Sequence, residues 1–322
     1  MKKQLRLLAI TATLSLGLCS CSGRIDVSES VSTPAVSVVD MTDNTPPQEL
    51  KADFTCGLSN TTLEPPTAFN YSKAIAMELY VDNSGAAADF GVLIFIDGIL
   101  QKCTLRDSDK SEYMPVVSVK SNQVKVISLS FEPQAAKQAD SVDVYYCFVY
   151  MPTYRPQSAD ASFGECNSLR SLNVMSLVGI EPQACGNVSI STAESITPDK
   201  TASPDALSIA LEPESGGKLS DGLTADDKLK LTLSGSSGSG KNGENIWRVC
   251  MIVDGAPVPA FDGKRYIDMA AGEDIASSVS VALSELPDNG EDYASAFFIA
   301  VPTQRHNGIA PVATESFVLN RK

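Results

Sequence analysis

The chain has 322 residues, with 25 Lys plus Arg against 39 Asp plus Glu, one His and eight Cys. Its length fits roughly two domains of about 150 residues, and 43% hydrophobic with 20% charged residues is an ordinary globular composition that excludes wholesale disorder. A formal charge of −14 opposes binding to nucleic acid, whose phosphates reward Lys and Arg, and the lone His306 excludes two-His zinc sites within one chain.

Lys2, Lys3 and Arg6 precede a largely apolar stretch from Leu7 to Leu18, the pattern of a secretory signal. The stretch is shorter than the roughly 20 apolar residues of a permanent spanning helix, and no later one approaches that length. It ends Leu18-Cys19-Ser20-Cys21, which resembles the lipobox of bacterial prolipoproteins: Leu at −3, a small residue at −1, then the lipid-bearing Cys. Cys19 at −2 departs from the usual pattern. The resemblance implies that residues 1–20 are removed, that Cys21 carries the lipid, and that the protein is anchored facing outside the cytoplasm. Removal takes away three positive charges and no negative ones, leaving 22 basic against 39 acidic side chains. Residues 21–50 are rich in Ser and Thr, contain Pro34, Pro46 and Pro47, and keep no period of two or 3.6. They are expected to form a disordered tether, because they bury too little apolar surface to offset ordering entropy.

The rest of the chain repeats itself. Phe90-Gly91-Val92-Leu93-Ile94-Phe95-Ile96-Asp97-Gly98 lines up with Trp247-Arg248-Val249-Cys250-Met251-Ile252-Val253-Asp254-Gly255, each a strand run closed by an Asp-Gly hairpin signal. Met77, Leu79 and Val81 alternate as Leu229, Leu231 and Leu233 do, and Leu129-Ser130 corresponds to Leu283-Ser284. The segment from Phe148 through Pro152-Thr153 to Arg155 matches Phe298 through Pro302-Thr303 to Arg305. These matches predict one domain over residues 51–185, a linker over 186–204 and a second copy over 205–322.

In chain order, strands are expected near 52–57, 74–82, 90–97, 99–104, 114–119, 123–131, 142–151 and 170–178. The second copy repeats them near 205–211, 227–234, 246–253, 256–261, 276–284, 292–301 and 312–319. Many short strands without an amphipathic helix predict an all-β protein built from two tandem β-sandwiches, since a solitary sheet would leave one face bare. Val144-Tyr145-Tyr146-Cys147 resembles the strand-F segment of immunoglobulin domains, with Phe90 and Trp247 where a strand-C aromatic would stand. The resemblance implies an immunoglobulin-like architecture. The strand near 74–82 lacks the Cys that would complete the family's inter-sheet disulfide.

Candidate chemistry is sparse. Gly235-Ser236-Ser237-Gly238-Ser239-Gly240-Lys241-Asn242 nearly spells a phosphate-binding loop, but Asn242 replaces the magnesium-binding hydroxyl and a strand is expected to follow. It reads as a hairpin loop, and no nucleotide is expected. Acidic groups at Asp107 and Asp109, at Asp226 and Asp227, and at Asp288, Glu291 and Asp292 lack calcium-loop order. They read as solvated loops, so no metal and no other cofactor is expected. Cys250 reads as a small core hydrophobe. Export permits disulfides among Cys56, Cys103, Cys147, Cys166 and Cys185, with Cys166–Cys185 the first choice because both lie near loops. His306 reads as a loop residue, and Arg155 and Arg305 as structural ends of a strand.

The candidate ligand surface comes from comparing the copies. Tyr146 and Tyr150 stand where the sequence match has Ala296 and Ala300, and alternation puts them on one face with Phe148. Tyr154 extends the set. Tyrosine offers apolar area plus a hydroxyl, a mix suited to protein or glycan contact, while the same rings could instead fill a wider core or an interdomain contact. The expectation is a non-catalytic, lipid-anchored binding protein of the cell envelope. The alternatives are a structural accessory of an envelope assembly and a carboxylate-based hydrolase.

Overall fold

A computed structural model describes residues 52–59, 75–135, 141–155, 163–178, 183–184, 190–196, 207–219, 223–224, 226–235, 245–272, 275–286, 292–303 and 310–321. The N-terminal half supplies β1 (Phe54–Leu58), β2 (Ile75–Asn83), β3 (Ala88–Ile96), β4 (Ile99–Leu100), β5 (Cys103–Leu105), β6 (Ser111–Glu112), β7 (Val116–Val119), β8 (Gln123–Phe131), β9 (Gln134–Ala135), β10 (Ser141–Tyr150), β11 (Ser168–Val178) and β12 (Gln183–Ala184). Then follow β13 (Ile190–Thr192), β14 (Glu194–Ile196), β15 (Ser208–Pro213), β16 (Leu223–Thr224), β17 (Lys228–Ser234), β18 (Asn245–Val253), β19 (Ala256–Val258), β20 (Tyr266–Ala271), β21 (Ala276–Ala282), β22 (Tyr293–Pro302), β23 (Val312–Ala313) and β24 (Phe317–Asn320). No α-helix occurs among the described residues.

These strands make two sandwiches. In the first, an outer sheet of order β1-β2-β8-β5-β6 faces an inner sheet of order β11-β10-β3-β4, with β7 also on β3. In the second, an outer sheet of order β14-β21-β17-β15 faces an inner sheet of order β13-β20-β18-β22-β24-β16. The chain is therefore all-β, two immunoglobulin-like sandwiches in architecture.

The outer strands alternate as one-sided strands must. Ile75, Met77, Leu79 and Val81 of β2 point inward and are buried, and Leu229, Leu231 and Leu233 of β17 do the same. The inner strands are apolar on both faces, because both faces are covered. Val92, Ile94 and Ile96 of β3 with Tyr146 and Phe148 of β10 fill the first core. Trp247, Val249 and Met251 of β18 with Phe298 and Ala300 of β22 fill the second. The alternate residues Leu93, Phe95, Tyr145, Cys147 and Val149 meet Cys250, Ile252, Phe297, Ile299 and Val301 in a third apolar layer, which joins the two inner sheets face to face. Burial of each such Leu, Ile or Phe contributes about 1.5–3 kcal/mol as an upper bound, which makes separation of the halves costly.

Cys147 belongs to that third layer, so it points away from the space between its own two sheets. The strand-F resemblance therefore holds for the strand and fails for the disulfide: the thiol faces the wrong way to bridge its sandwich.

Pairing registers compare the halves more sharply than sequence matching. Met77 faces Leu129 as Leu229 faces Val281, and Gly91 faces Val116 as Arg248 faces Asp268. Ile94 faces Tyr146 as Met251 faces Phe298. Hence the counterpart of Tyr146 is Phe298, that of Phe148 is Ala300, and that of Leu129 is Val281. The sequence matches at β8 and β10 are each slipped by two residues. A two-residue slip leaves every side chain on its own face, so alternation alone does not detect it.

The expected linker is partly sheet. Ile190–Thr192 pairs parallel with β20, and Glu194–Ile196 pairs antiparallel with β21. Strand β20, absent from the expected set, lies on β18 where β7 lies on β3.

Candidate interaction surface

The structure places the three candidate tyrosines inside the first sandwich. Tyr146, Tyr150 and Tyr154 are buried members of the first core. The Tyr150 ring stacks on Phe54 and meets Phe90 edge-on, both at 5.7 Å between centroids. The Tyr154 ring meets Phe163 edge-on at 5.6 Å. The expected ligand surface at these residues is corrected accordingly: alternation grouped Tyr146, Phe148 and Tyr150 rightly, but their shared face is the one that packs against the outer sheet. Burial pushes the Tyr146 phenol from 10 up to about 12 and raises those of Tyr150 and Tyr154 as well.

The cysteines are packing groups where described. Cys103, Cys147, Cys166 and Cys250 are buried thiols. Burial raises all four, to about 12 for Cys103 and about 11 for Cys166, which keeps them protonated and poor nucleophiles. Cys166 Sγ sits 3.8 Å from Met151 Sδ. Cys185, its expected partner, lies outside the described residues. So do Cys21 with the signal and tether, Arg305, His306 and residues 236–242 of the Gly-rich loop.

Arg155 lies in the turn segment that follows β10, whose last residue is Tyr150, and its contacts there are structural. Its guanidinium donates to the carbonyls of Pro152 at 2.9 Å and Tyr154 at 3.2 Å, and pairs with Asp254 of the other half at 3.3 Å. Asp227 accepts from the backbone N–H of Thr224 at 2.7 Å and from its hydroxyl at 3.0 Å, stapling a turn. Asp107 and Asp109 are exposed. Among the described residues no cluster of three or more His, Cys, Asp or Glu could hold a metal ion.

Two features escaped the sequence reading. The first is Arg248, 6% exposed, at the junction of the halves. It donates from Nε and Nη2 to both oxygens of Asp268 at 2.8 and 3.0 Å, and from Nη1 to the Asp97 carbonyl at 2.5 Å. The Asp97 carboxylate lies 3.2 Å from the same Nη1. Burial opposes the charge, but the two carboxylates outweigh it and hold the guanidinium above its ordinary value. A lone Arg in an apolar run was the signal, since a buried charge needs a partner.

The second is the free edge of β8. Strand β8 pairs with β2 along its whole length, but its other side meets β5 only at Leu129 and Ser130. Among the described residues, Val124 and Val126 are the exposed large hydrophobics, at 62% and 51%. The N–H of Arg106 donates to the carbonyl of Ser128 across that side. Because backbone groups alternate sides, the N–H and C=O of Val124 and Val126 point the same way, along an edge unpaired among the described residues. Such edges recruit further strands.

No protein-family model and no curated protein matches the chain. Among solved structures, it is similar to a chaperone–tip adhesion subunit pre-assembly complex from archaic chaperone-usher Csu pili of Acinetobacter baumannii. That match has 11% identity over 77% of this chain and 92% of that one, with a TM-score of 0.17. It is also similar to the CupB6 tip adhesin from Pseudomonas aeruginosa, at 9% identity over 84% of this chain and 98% of that one, with a TM-score of 0.21. Likenesses this slight carry neither fold nor function, and the architecture above rests on the strand pairings alone.

Proposed function

We propose that this chain is a lipid-anchored, non-catalytic binding protein of the bacterial cell envelope, facing outside the cytoplasm, whose ligand is a protein or glycan. The observation that carries the reading is the apolar layer from Leu93 and Phe95 to Ile252 and Ile299, which makes two sandwiches one stiff body. Binding surfaces work best on rigid elements, because less freedom is lost on contact. Such a body follows a sequence that resembles a lipoprotein signal ending at Cys21. Anchor, tether and stiff body in that order suit presentation of a surface at a distance from a membrane.

The first test is fractionation of cells carrying Cys21→Ser. Release of the protein from the membrane fraction is the expected outcome, and unchanged membrane retention overturns the anchor. The second is photocrosslinking in cells alongside retention on a glycan array. A recurrent envelope-protein adduct or a retained glycan class supports binding. Absence of both, or turnover that is lost on a single carboxylate substitution, overturns it.

A further inference from the structure

The free stretch of β8 spans residues 123–127, between the turn that leaves β7 and the point where β5 begins to pair. The N–H and C=O groups of Val124 and Val126 line it, and both valine side chains stand exposed on its outer face. Lys125 points the other way, on the side of Ile127, Leu129 and Phe131, which are buried in the first core. Its ammonium reaches across to β7 and donates to the carbonyl of Ser118 at 2.9 Å. It makes no ion pair among the described residues.

The second sandwich shows what such a stretch accepts. Because Leu129 is the register counterpart of Val281, Val124, Lys125 and Val126 correspond to Ala276, Ser277 and Ser278 of β21. There Ile196, Ser195 and Glu194 of β14 face them in antiparallel pairing. Under that cover Ala276 is 1% exposed, against 62% for Val124. The middle residue needs nothing from β14: the Ser277 hydroxyl accepts from the N–H of Ala270 at 2.9 Å and donates to its carbonyl at 2.7 Å. Both halves thus present a slot one strand wide. One is filled from within the chain and neutral at its centre. The other is open among the described residues and carries a cation there.

We propose that residues 123–127 of β8 are a docking edge for an extended segment of a partner protein. That segment runs antiparallel, with an acidic residue opposite Lys125 and apolar residues opposite Val124 and Val126. The partner is a polypeptide because N–H and C=O groups at strand spacing are matched by another main chain, the usual source of affinity at a sheet edge. The apolar positions would cover the exposed valines, and the carboxylate would complete an opposite-charge cross-strand pair. A second copy of this chain fits worse. A two-fold pairing that matches Val124 with Val126 across the copies brings the two Lys125 side chains directly opposite each other, and like charges there repel. Docking of this kind is the protein-binding arm of the function proposed above, and rests on it for the partner's place in the envelope. It does not depend on the lipid, and its failure leaves a glycan surface elsewhere on the body untouched.

Hydrogen exchange at the Val124 and Val126 amides of the full chain decides it. The probes are two synthetic peptides, acetyl-Thr-Val-Asp-Val-Thr-amide and the same peptide with Lys in place of Asp. Without peptide both amides should exchange fast. The acidic peptide should slow them about tenfold, by closing an edge that is otherwise open to water, and the lysine peptide should not. In Lys125→Glu the preference should reverse. Should that variant fail to fold, the two peptides on the unaltered chain still discriminate. Equal slowing by both peptides, or by neither, overturns the proposal. So does slow exchange without peptide, which would mean that the edge is already covered. Slowing that grows with protein concentration would assign the cover to a second copy, and slowing that does not would assign it to this chain itself.

Discussion

The two Asp-Gly turns do the same job in opposite chemistries. Asp97-Gly98 and Asp254-Gly255 both have positive φ at each residue (49° and 70°, 48° and 83°), the conformation a two-residue hairpin with native twist requires. Each turn reaches across the layer between the halves to the start of the other half's central strand. The first lies on Arg248, which binds it through the Asp97 carbonyl and carboxylate. The second lies on Met114, which also covers Gly91, the sequence counterpart of Arg248. One junction is thus a buried ion cluster, and the other is a methionine over a glycine with Arg155 at the rim. A duplicated geometry needs only a filled space at each end, and either a satisfied charge or an apolar side chain fills it.

The sharpest break in this comparison is Arg248→Met. It leaves Asp97 buried without its cation and should cost about 3–5 kcal/mol, measured by denaturant unfolding. A cost under 1 kcal/mol would mean that the polar junction contributes no more than a rim contact. Tyr146→Ala and Phe298→Ala come next, as register counterparts in the two cores, each with an expected loss of about 3–5 kcal/mol. Should Ala296→Tyr be tolerated while both of these are costly, the slipped sequence match would be right and the register wrong. Overpacking of that buried site should instead destabilise the second sandwich by about 1–3 kcal/mol.

The turn glycines separate the two junctions further. Both Gly98→Ala and Gly255→Ala incur about 1–2 kcal/mol for a side chain at positive φ. An added Cβ at Gly98 would lie 2.5 Å from Arg248 Cβ, while at Gly255 it would lie 2.6 Å from Met114 Cε. A Cβ is fixed to the backbone and a methionine tip swings aside, so Gly98→Ala should be the more damaging, as thermal unfolding of the pair would report. Arg155→Ala, at the partly exposed rim, should cost only about 0–1 kcal/mol.

Alkali acts on the first core through the groups buried there. Tyr146 is raised from 10 to about 12, and Cys103 from 9 to about 12. In the unfolded chain both lose their protons earlier, so their stabilisation is intact below about pH 9 and fades as pH rises towards 12. Tyr146→Phe should flatten the part of that decline above pH 10, read from unfolding midpoints across the range.

Much of the fold was legible in the residues. Strand β8 falls where its alternation predicts it, and β2, β17 and β10 fall within a residue or so. The Asp-Gly turns are legible because their φ values are a local demand. The candidate site was not. Tyr146 and Tyr150 were placed on a common face correctly, yet a strand apolar on both sides carries no mark of which side meets its own sandwich and which meets the other half. The β8 edge was hidden for a different reason: Val124 and Val126 look like any strand valines until the absence of a neighbour along residues 123–127 is seen among the described residues.

The sequence by itself determined most of the long strands, the Asp-Gly turns and the repeated spacing, because period two, positive-φ dipeptides and recurring spacings are properties of short segments. Only the tertiary structure decided the two-residue register between the copies, the third apolar layer, the partners of Arg248 and the conversion of residues 190–196 from expected linker to sheet edge. The physical reason is common to all four. Alternation survives a slip of two, and burial on both faces erases the polarity of a strand, so only long-range pairing tells the arrangements apart.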